Sequence, residues 1–463
     1  MQRKSDLVAL IAFMLAVAFL AFLAGALVAV TESAPSGYIR DAYRAGTALL
    51  EKRTFQATPY ATDLWKPARS NRRGVTVHDP ERATHGLTLY TSGHAAAAFL
   101  VDMDGAVVHR WERPYSSIWD DTAAARKPVP DRQIYFRRAR MYPNGDLLAV
   151  YDGVGDSPYG YGMVRLDRNS DVLWKNLDHF HHDVAIAENG HIHGLTHAFR
   201  ETPPAGLEHL SRPVLDDYLT IVSPVDGRTL RKISLLEAVN RSEFRRQLWS
   251  LPFYTLGDPL HTNAVDVLGR EDAERLSRKV PVAAQGQVLL SFRELGGGTI
   301  ALLDVERESI VWALHGSWRS QHDPDILANG NILLFDNFGH YGEEGRSRVI
   351  EVDPATGGIV WQYAGTTSDR LESLIRSAQQ PLPNGNVLIT ESDGGRLLEV
   401  SRDGDVVWEY INPVRGGDDQ AFIPVVSWGL RIDPAELGTA FSTQVIGQPP
   451  SRTALDTHTP RGK

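Results

Sequence analysis

Four Asn-Gly pairs, each followed by a short apolar run, constrain this chain more than any other feature. Asn144-Gly145 precedes Asp146-Leu147-Leu148-Ala149-Val150, Asn189-Gly190 precedes His191-Ile192-His193-Gly194-Leu195, Asn329-Gly330 precedes Asn331-Ile332-Leu333-Leu334-Phe335, and Asn384-Gly385 precedes Asn386-Val387-Leu388-Ile389. Asn-Gly supplies the two positive-φ positions that a tight hairpin needs, so each sentence reads as strand, turn, strand. Six further hairpins complete the pattern, at Phe99 to Trp111, Met163 to Trp174, Leu219 to Ile233, Ile300 to Trp312, Val349 to Trp361 and Leu397 to Trp408. The spacing from Trp312 to Trp361 to Trp408 is 49 and then 47 residues. A period in the forties with about four strands per unit is the mark of propeller blades, which bury their faces only by stacking around an axis. The expectation is an all-β, six-bladed β-propeller, with Pro424 to Ile432 as a strand that closes onto the first blade.

The first thirty residues set the location. Leu7 to Val30 is a 24-residue apolar run without a charge, and as a helix it would rise about 36 Å, enough to cross a bilayer. Arg3 and Lys4 before it orient the N-terminus to the cytoplasm and the rest to the periplasmic or extracytoplasmic side. Ala24-Gly25-Ala26 offers a rival reading as a signal-peptide cleavage site, but the run is longer than a signal core and continues past it. The domain expectation is therefore an anchor at 1–30, a juxtamembrane stalk or collar at 31–85, the propeller at 86–436 and a flexible tail at 437–463. The stalk carries a candidate helix with Tyr38, Ala42, Ala45 and Leu49 on one face. Two stretches interrupt the blade period, a helical candidate at 233 to 260 and a charged excursion at 268 to 280, and such insertions are expected on one rim.

A formal charge of −9 provides no basic field for nucleic acid. The absence of cysteine excludes thiolate metal sites, cysteine nucleophiles and disulfides. Histidine, in contrast, recurs at one register. Seven residues before the Asn of each Asn-Gly turn stand Arg137, His182, His322 and Ser377, and the blade without that turn opens on Leu260-His261-Thr262-Asn263. Innermost strands line a propeller's channel, so equivalent positions form a ring. Arg293, at the end of Leu290-Ser291-Phe292-Arg293, would point into the same cavity. Imidazoles and a guanidinium around a funnel bind anions and offer a neutral imidazole as nucleophile. The cluster His179, His181, His182, His191, His193 and His197 is a candidate for a transition metal, but zinc-type spacing and an accompanying carboxylate set are missing, so no metal or cofactor is expected.

His182-Asp183 with Asn189-Gly190, His261-Thr262-Asn263 with Ser291-Phe292-Arg293, Gln321-His322-Asp323 with Asn329-Gly330-Asn331 and Phe335-Asp336-Asn337, and Val407-Trp408-Glu409-Tyr410 resemble the bacterial arylsulfotransferase family over roughly residues 86 to 432. The resemblance implies a six-bladed propeller that moves a sulfuryl group from an aryl sulfate to a phenol without a nucleotide donor. It implies His322 as the nucleophile that becomes sulfated, with His182, His261 and Arg293 polarising the sulfuryl oxygens. Arg137 and Asn263 are candidate substrate-binding residues beside them. Trp249, Phe253 and Tyr254, in the aromatic insertion just before His261, are candidates for holding the aryl ring as a cap over the funnel. Two other readings stand alongside: a membrane-tethered propeller that binds a protein or glycan partner without catalysis, and a quinone-dependent dehydrogenase-like propeller.

Overall fold

The computed structural model describes residues 2–31, 36, 58–340, 342 and 345–447. The chain divides into two compact units, Met1–Ala61 and Thr62–Lys463. In the first, Gln2–Val30 is a single helix. Within it Ala9–Val28, of mean hydropathy 2.7, is long and apolar enough to cross a membrane, and none of that span is buried. The candidate stalk helix with Tyr38, Ala42, Ala45 and Leu49 lies outside the described residues, as does the tail beyond 447.

The second unit is a six-bladed β-propeller. Blades 2 to 5 are four-stranded antiparallel sheets taken in chain order. Their innermost strands are Ile134–Met141, Phe180–Ile186, Thr262–Val267 and His322–Ile326. Blade 6 starts at Ala378–Pro381. Blade 1 takes its innermost strand from the other end of the chain, where Val426–Ile432 pairs with Leu87–Ser92. The Asn-Gly turns fall between the first and second strands of blades 2, 3, 5 and 6, with Gly145, Gly190, Gly330 and Gly385 all at positive φ. The tryptophan-ending hairpins are the two outer strands of their blades.

Those tryptophans join neighbours. Trp111 Nε1 of blade 1 donates to Gly145 O of blade 2 at 2.9 Å, Trp174 Nε1 to Pro224 O of blade 3 at 3.0 Å, Trp361 Nε1 to Arg402 O of blade 6 at 2.9 Å, and Trp408 Nε1 to Met103 O of blade 1 at 3.0 Å. These four thus satisfy their one donor on a turn of the next blade, and Trp111, Trp174 and Trp408 bury their rings as well.

The folded elements reach past 86–436 on both sides. Gly74–His78 adds a fifth strand to blade 6 by pairing with Val406–Ile411, which covers an outer edge that would otherwise present unpaired backbone groups. Trp65–Pro67 pairs with Phe422–Pro424. At the other end Thr439–Ile446 is helical, because Phe441 finds an apolar seat with its ring 6.0 Å from Trp111 and 5.1 Å from His109. The two insertions do not share a rim. Leu235–Arg241 and Glu243–Trp249 lie between blades 3 and 4, at the end where innermost strands begin. Arg270–Ser277 lies between the first two strands of blade 4, hence at the opposite end, and Ala273 and Leu276 anchor it in apolar contacts.

Candidate active site

A blade's faces pack against its neighbours, so side chains that alternate regularly along an innermost strand point between blades and not at the axis. Turning a side chain onto the axis needs a break in the alternation. Five innermost strands have such a break at the same level: between Phe136 and Arg138, His181 and Val184, Thr262 and Ala264, His322 and Asp325, and Val426 and Trp428. The residues set out of register include Arg137, His182, Asn263, Asp323 and Ser427. Six of the ten non-glycine residues with positive φ among the described residues sit here, namely His182, His261, Ser320, Asp323, Arg376 and Ser377. Each such backbone costs on the order of 1–3 kcal/mol and persists only where the surroundings hold it. The strain is concentrated in this one ring.

The ring brings His182, His261, Arg293 and His322 together. The His182 imidazole centre is 5.3 Å from that of His261 and 6.5 Å from that of His322, and Arg293 Nη1 is 3.4 Å from His261 Nε2. Arg137 is buried beside them, held by Ser427 and by Asp152 at 3.7 Å.

His322 is 3 % exposed. Burial first, then the charges of Arg137 and Arg293, hold it well below the usual imidazole range, so it is neutral. Its tautomer follows from its neighbours. Asn337 Nδ2 donates to Ser373 O at 2.8 Å and to Arg376 O at 3.1 Å, which uses both amide hydrogens. Asn337 Oδ1, 2.7 Å from His322 Nδ1, must therefore accept, and Nδ1 must carry the proton. The lone pair is left on Nε2.

His261 is of opposite character. Burial alone would lower its pKa, but Asp258, with Oδ2 at 2.5 Å from Nδ1, outweighs that and raises it above the ordinary value. A charged His261 presents Nε2–H next to the guanidinium of Arg293. At 3.4 Å the two groups stand side by side, where both can face one anionic oxygen. His182 is neutral, its pKa depressed by burial and then by Arg137, and its Nδ1 lies 2.8 Å from His181 Nδ1. Tyr159 stands over the group, its ring 5.4 Å from His182 and 6.0 Å from His261.

Below the ring, one cation ties the bulges together. Arg138 Nε contacts Asp183 Oδ1 at 2.6 Å, Arg138 Nη2 contacts Asp323 Oδ1 at 2.5 Å, and the guanidinium lies 4.9 Å over Trp428. Asp183 in turn accepts from Val265 N at 3.0 Å, and Asp323 O accepts from Gln379 Nε2. Blades 1 to 6 all meet at this point.

Other expected residues are placed differently. Asn263 is buried and donates to Gln321 O at 2.8 Å, bracing the residue before His322. Ser377 exchanges hydrogen bonds with Ser392. Trp249, Phe253 and Tyr254 are 62 %, 85 % and 60 % exposed, on the strand-entry end of the propeller. Trp249 stacks on His209 and Tyr254 Oη accepts from Arg319 at 3.0 Å. The histidine cluster splits. His191 and His193 line a groove at the opposite end, between blades 3 and 4, while His181 and His197 meet Asp217. Their ligand atoms lie within 4.8 Å of one another, with His181 Nε2 and Asp217 Oδ1 3.6 Å apart. His197 Nε2 also accepts from Gly160 N–H at 3.2 Å, which places the imidazole proton on Nδ1. In that tautomer the His197 imidazole has no lone pair free for a cation.

Asp258, Asn337, Arg138, Tyr159 and Asp217 were not singled out as site residues from the sequence, and His181 entered only as a member of the histidine cluster. Asn337 alone carried a signal, the polar end of the strand after an Asn-Gly turn.

A comparison with protein families matches residues 138–413 to the family described as Arylsulfotransferase (ASST). No curated protein matches. Similar solved structures include a protein of unknown function from Bacteroides caccae at 12 % identity and TM-score 0.46, covering 74 % of this chain and 99 % of that one. Virginiamycin B lyase from Staphylococcus aureus is similar at 10 % identity and TM-score 0.37, covering 75 % and 85 %. The Dos1 propeller is similar at 10 % identity and TM-score 0.36, covering 76 % of each chain.

Proposed function

The chain belongs to the arylsulfotransferase family, and from that premise we propose that it transfers a sulfuryl group from an aryl sulfate to a phenol in two steps through a sulfated His322. The observation that carries this reading is the pairing of His322 with Asn337, which leaves a neutral imidazole with its lone pair on Nε2 at the level where the cations converge. In the first step Nε2 forms an N–S bond as the S–O bond to the aryl group breaks, and the electron pair leaves on the phenolate. In the second step the acceptor oxygen takes the sulfuryl group and Nε2 regains its lone pair. Asn337 Oδ1 stabilises the cationic character that the ring gains while N–S is formed.

Sulfuryl transfer passes through a loose, in-line transition state with charge on the equatorial oxygens, so positioning and cationic donors do most of the work, as in phosphoryl transfer. Arg293 and charged His261 supply two donors side by side, and Arg137 adds a third positive group. Small-molecule substrates suffice for this site. Trp249, Phe253 and Tyr254 are the residues proposed to meet the aromatic ring as it enters.

Purified full chain in detergent, given a chromogenic aryl sulfate and a phenol, should release the chromophore and form the new sulfate ester. No transfer with any donor and acceptor pair would favour a binding propeller. His182→Ala and His261→Ala are expected to lower kcat by roughly 10² to 10³ each, the usual effect of removing acid–base help or one preorganised donor, with circular dichroism unchanged.

The N-terminal helix is proposed to stay in the membrane with its first residues cytoplasmic and the propeller outside. Protease added to spheroplasts should digest the propeller, and protection of the whole chain would reverse that orientation.

A further inference from the structure

We propose that Asp217 and His181 form a buried proton relay that takes up and returns the phenolic proton through His182; this rests on the sulfuryl-transfer reading above. The problem it solves is one of proton balance. The first step makes a phenolate that must gain a proton, and the second needs a phenol to lose one. His322 cannot serve, because its Nδ1–H is committed to Asn337 and its Nε2 carries the sulfuryl group. His261 has its Nδ1 occupied by Asp258, which also raises its pKa. His182 remains, and with Nδ1 turned to His181 its Nε2 faces the ring.

The geometry behind His182 is a line of groups leading away from the funnel. His181 Nδ1 and His182 Nδ1 are 2.8 Å apart, so one carries a hydrogen and the other accepts it. His181 is fully buried, and its Nε2 has no hydrogen-bond partner but faces Asp217 Oδ1 across 3.6 Å. Catalytic contacts of this kind are commonly long before substrate binds and tighten afterwards. Asp217 sits on the third strand of blade 3, opposite His197, and its Oδ2 accepts from Thr262 N at 2.7 Å. Among the described residues no arginine or lysine pairs with Asp217; the titratable groups around the line are Asp258, His261, His197, His179, Tyr159 and, beyond His261, Arg293. A buried carboxyl without a cation is costly, and an apolar residue there would be the more stable choice. Burial and then Asp258 push the Asp217 pKa up to about 7, so the group gains and loses a proton readily near neutrality.

The transfers balance as follows for the acceptor. The phenolic O–H breaks and an N–H forms at His182 Nε2; the His182 Nδ1–H breaks and His181 Nδ1–H forms; the His181 Nε2–H breaks and a proton arrives on Asp217. Both imidazoles end neutral with tautomers exchanged. For the donor's leaving phenolate the same moves run in reverse, so one proton is parked on Asp217 between turnovers and returned in each cycle.

The test uses full-length Asp217→Asn with a series of phenol acceptors, some ionised at the assay pH and some not. An ionised phenol brings no proton to dispose of. The expected result is that kcat for un-ionised acceptors falls by roughly 10², the usual contribution of general acid–base help, while the loss for 4-nitrophenol assayed above its pKa is far smaller. A merely structural role would lower all acceptors alike, and that outcome overturns the relay. His181→Gln, which breaks the line without touching Asp217, should show the same selectivity and carries the test if Asp217→Asn does not fold. Wild-type protein that transfers normally while both variants lack selectivity rejects the relay alone; wild-type protein with no transfer rejects the sulfuryl-transfer reading and the relay with it.

Discussion

Replacing His322 by alanine is expected to lower turnover by roughly 10⁵ or more, the scale on which removal of a nucleophile acts, and to abolish labelling by donor alone. In wild-type protein, aryl sulfate without acceptor should leave a sulfated histidine on the peptide that contains His322, seen by mass spectrometry under non-acidic conditions. The size of the effect follows from the division of labour in the ring. His261, Arg293 and Arg137 each stabilise charge, and each can be partly covered by the others. No neighbour stands in for the Nε2 lone pair: Asp258 occupies Nδ1 of His261 and raises its pKa, and His182 Nε2 is given over to the phenolic proton. Retention of full transfer by His322→Ala, or a label on another histidine, would end the assignment of the nucleophile.

The second large effect is on stability. Arg138→Met is expected to destabilise the propeller by about 3–5 kcal/mol, the penalty for breaking a buried ion network by removing one partner. The side chain is nearly isosteric along its stem, so the loss is of charge and not of volume. Asp183 and Asp323 would be left facing each other on the axis without their cation. Urea unfolding of the solubilised full chain measures this, and a change below about 1 kcal/mol, typical of an exposed ion pair, would show that the axis is held by something else. Because Asp183 and Asp323 directly follow His182 and His322, activity should fall with stability.

How legible all this was in the sequence depends on distance along the chain. The blade count could be read because Asn-Gly turns and terminal tryptophans repeat within single hairpins. His182 and His322 could be read because both stand seven residues before an Asn-Gly turn, so that two residues far apart in sequence have the same address, and His261 was reached from the strand opening of the blade without that turn. Arg293 followed from its place at the end of the next strand. The partners of these residues have no such address. Asp258 comes from an inter-blade insertion, Asp217 from a third strand and Tyr159 from a loop, and their chemistry arises only when blades meet. Arg138 was hidden for another reason: it follows Arg137 at once, and which of two adjacent arginines turns to the funnel is decided by a bulge that leaves no mark in composition. The short strand at Gly74–His78 was missed because five residues on an outer edge carry too little pattern to be told from a linker.

The way the circle is closed has a bearing on how the protein can be made. Leu87–Ser92 is synthesised well before the neighbour on its axial side, Val426–Ile432. Until it arrives the first sheet has an open inner border, Trp428 is not there to receive Arg138, and Ser427 is not there for Arg137. A nascent chain therefore carries nearly every reactive side chain and still has no working pocket. The ring is complete only when this strand pairs with Leu87–Ser92.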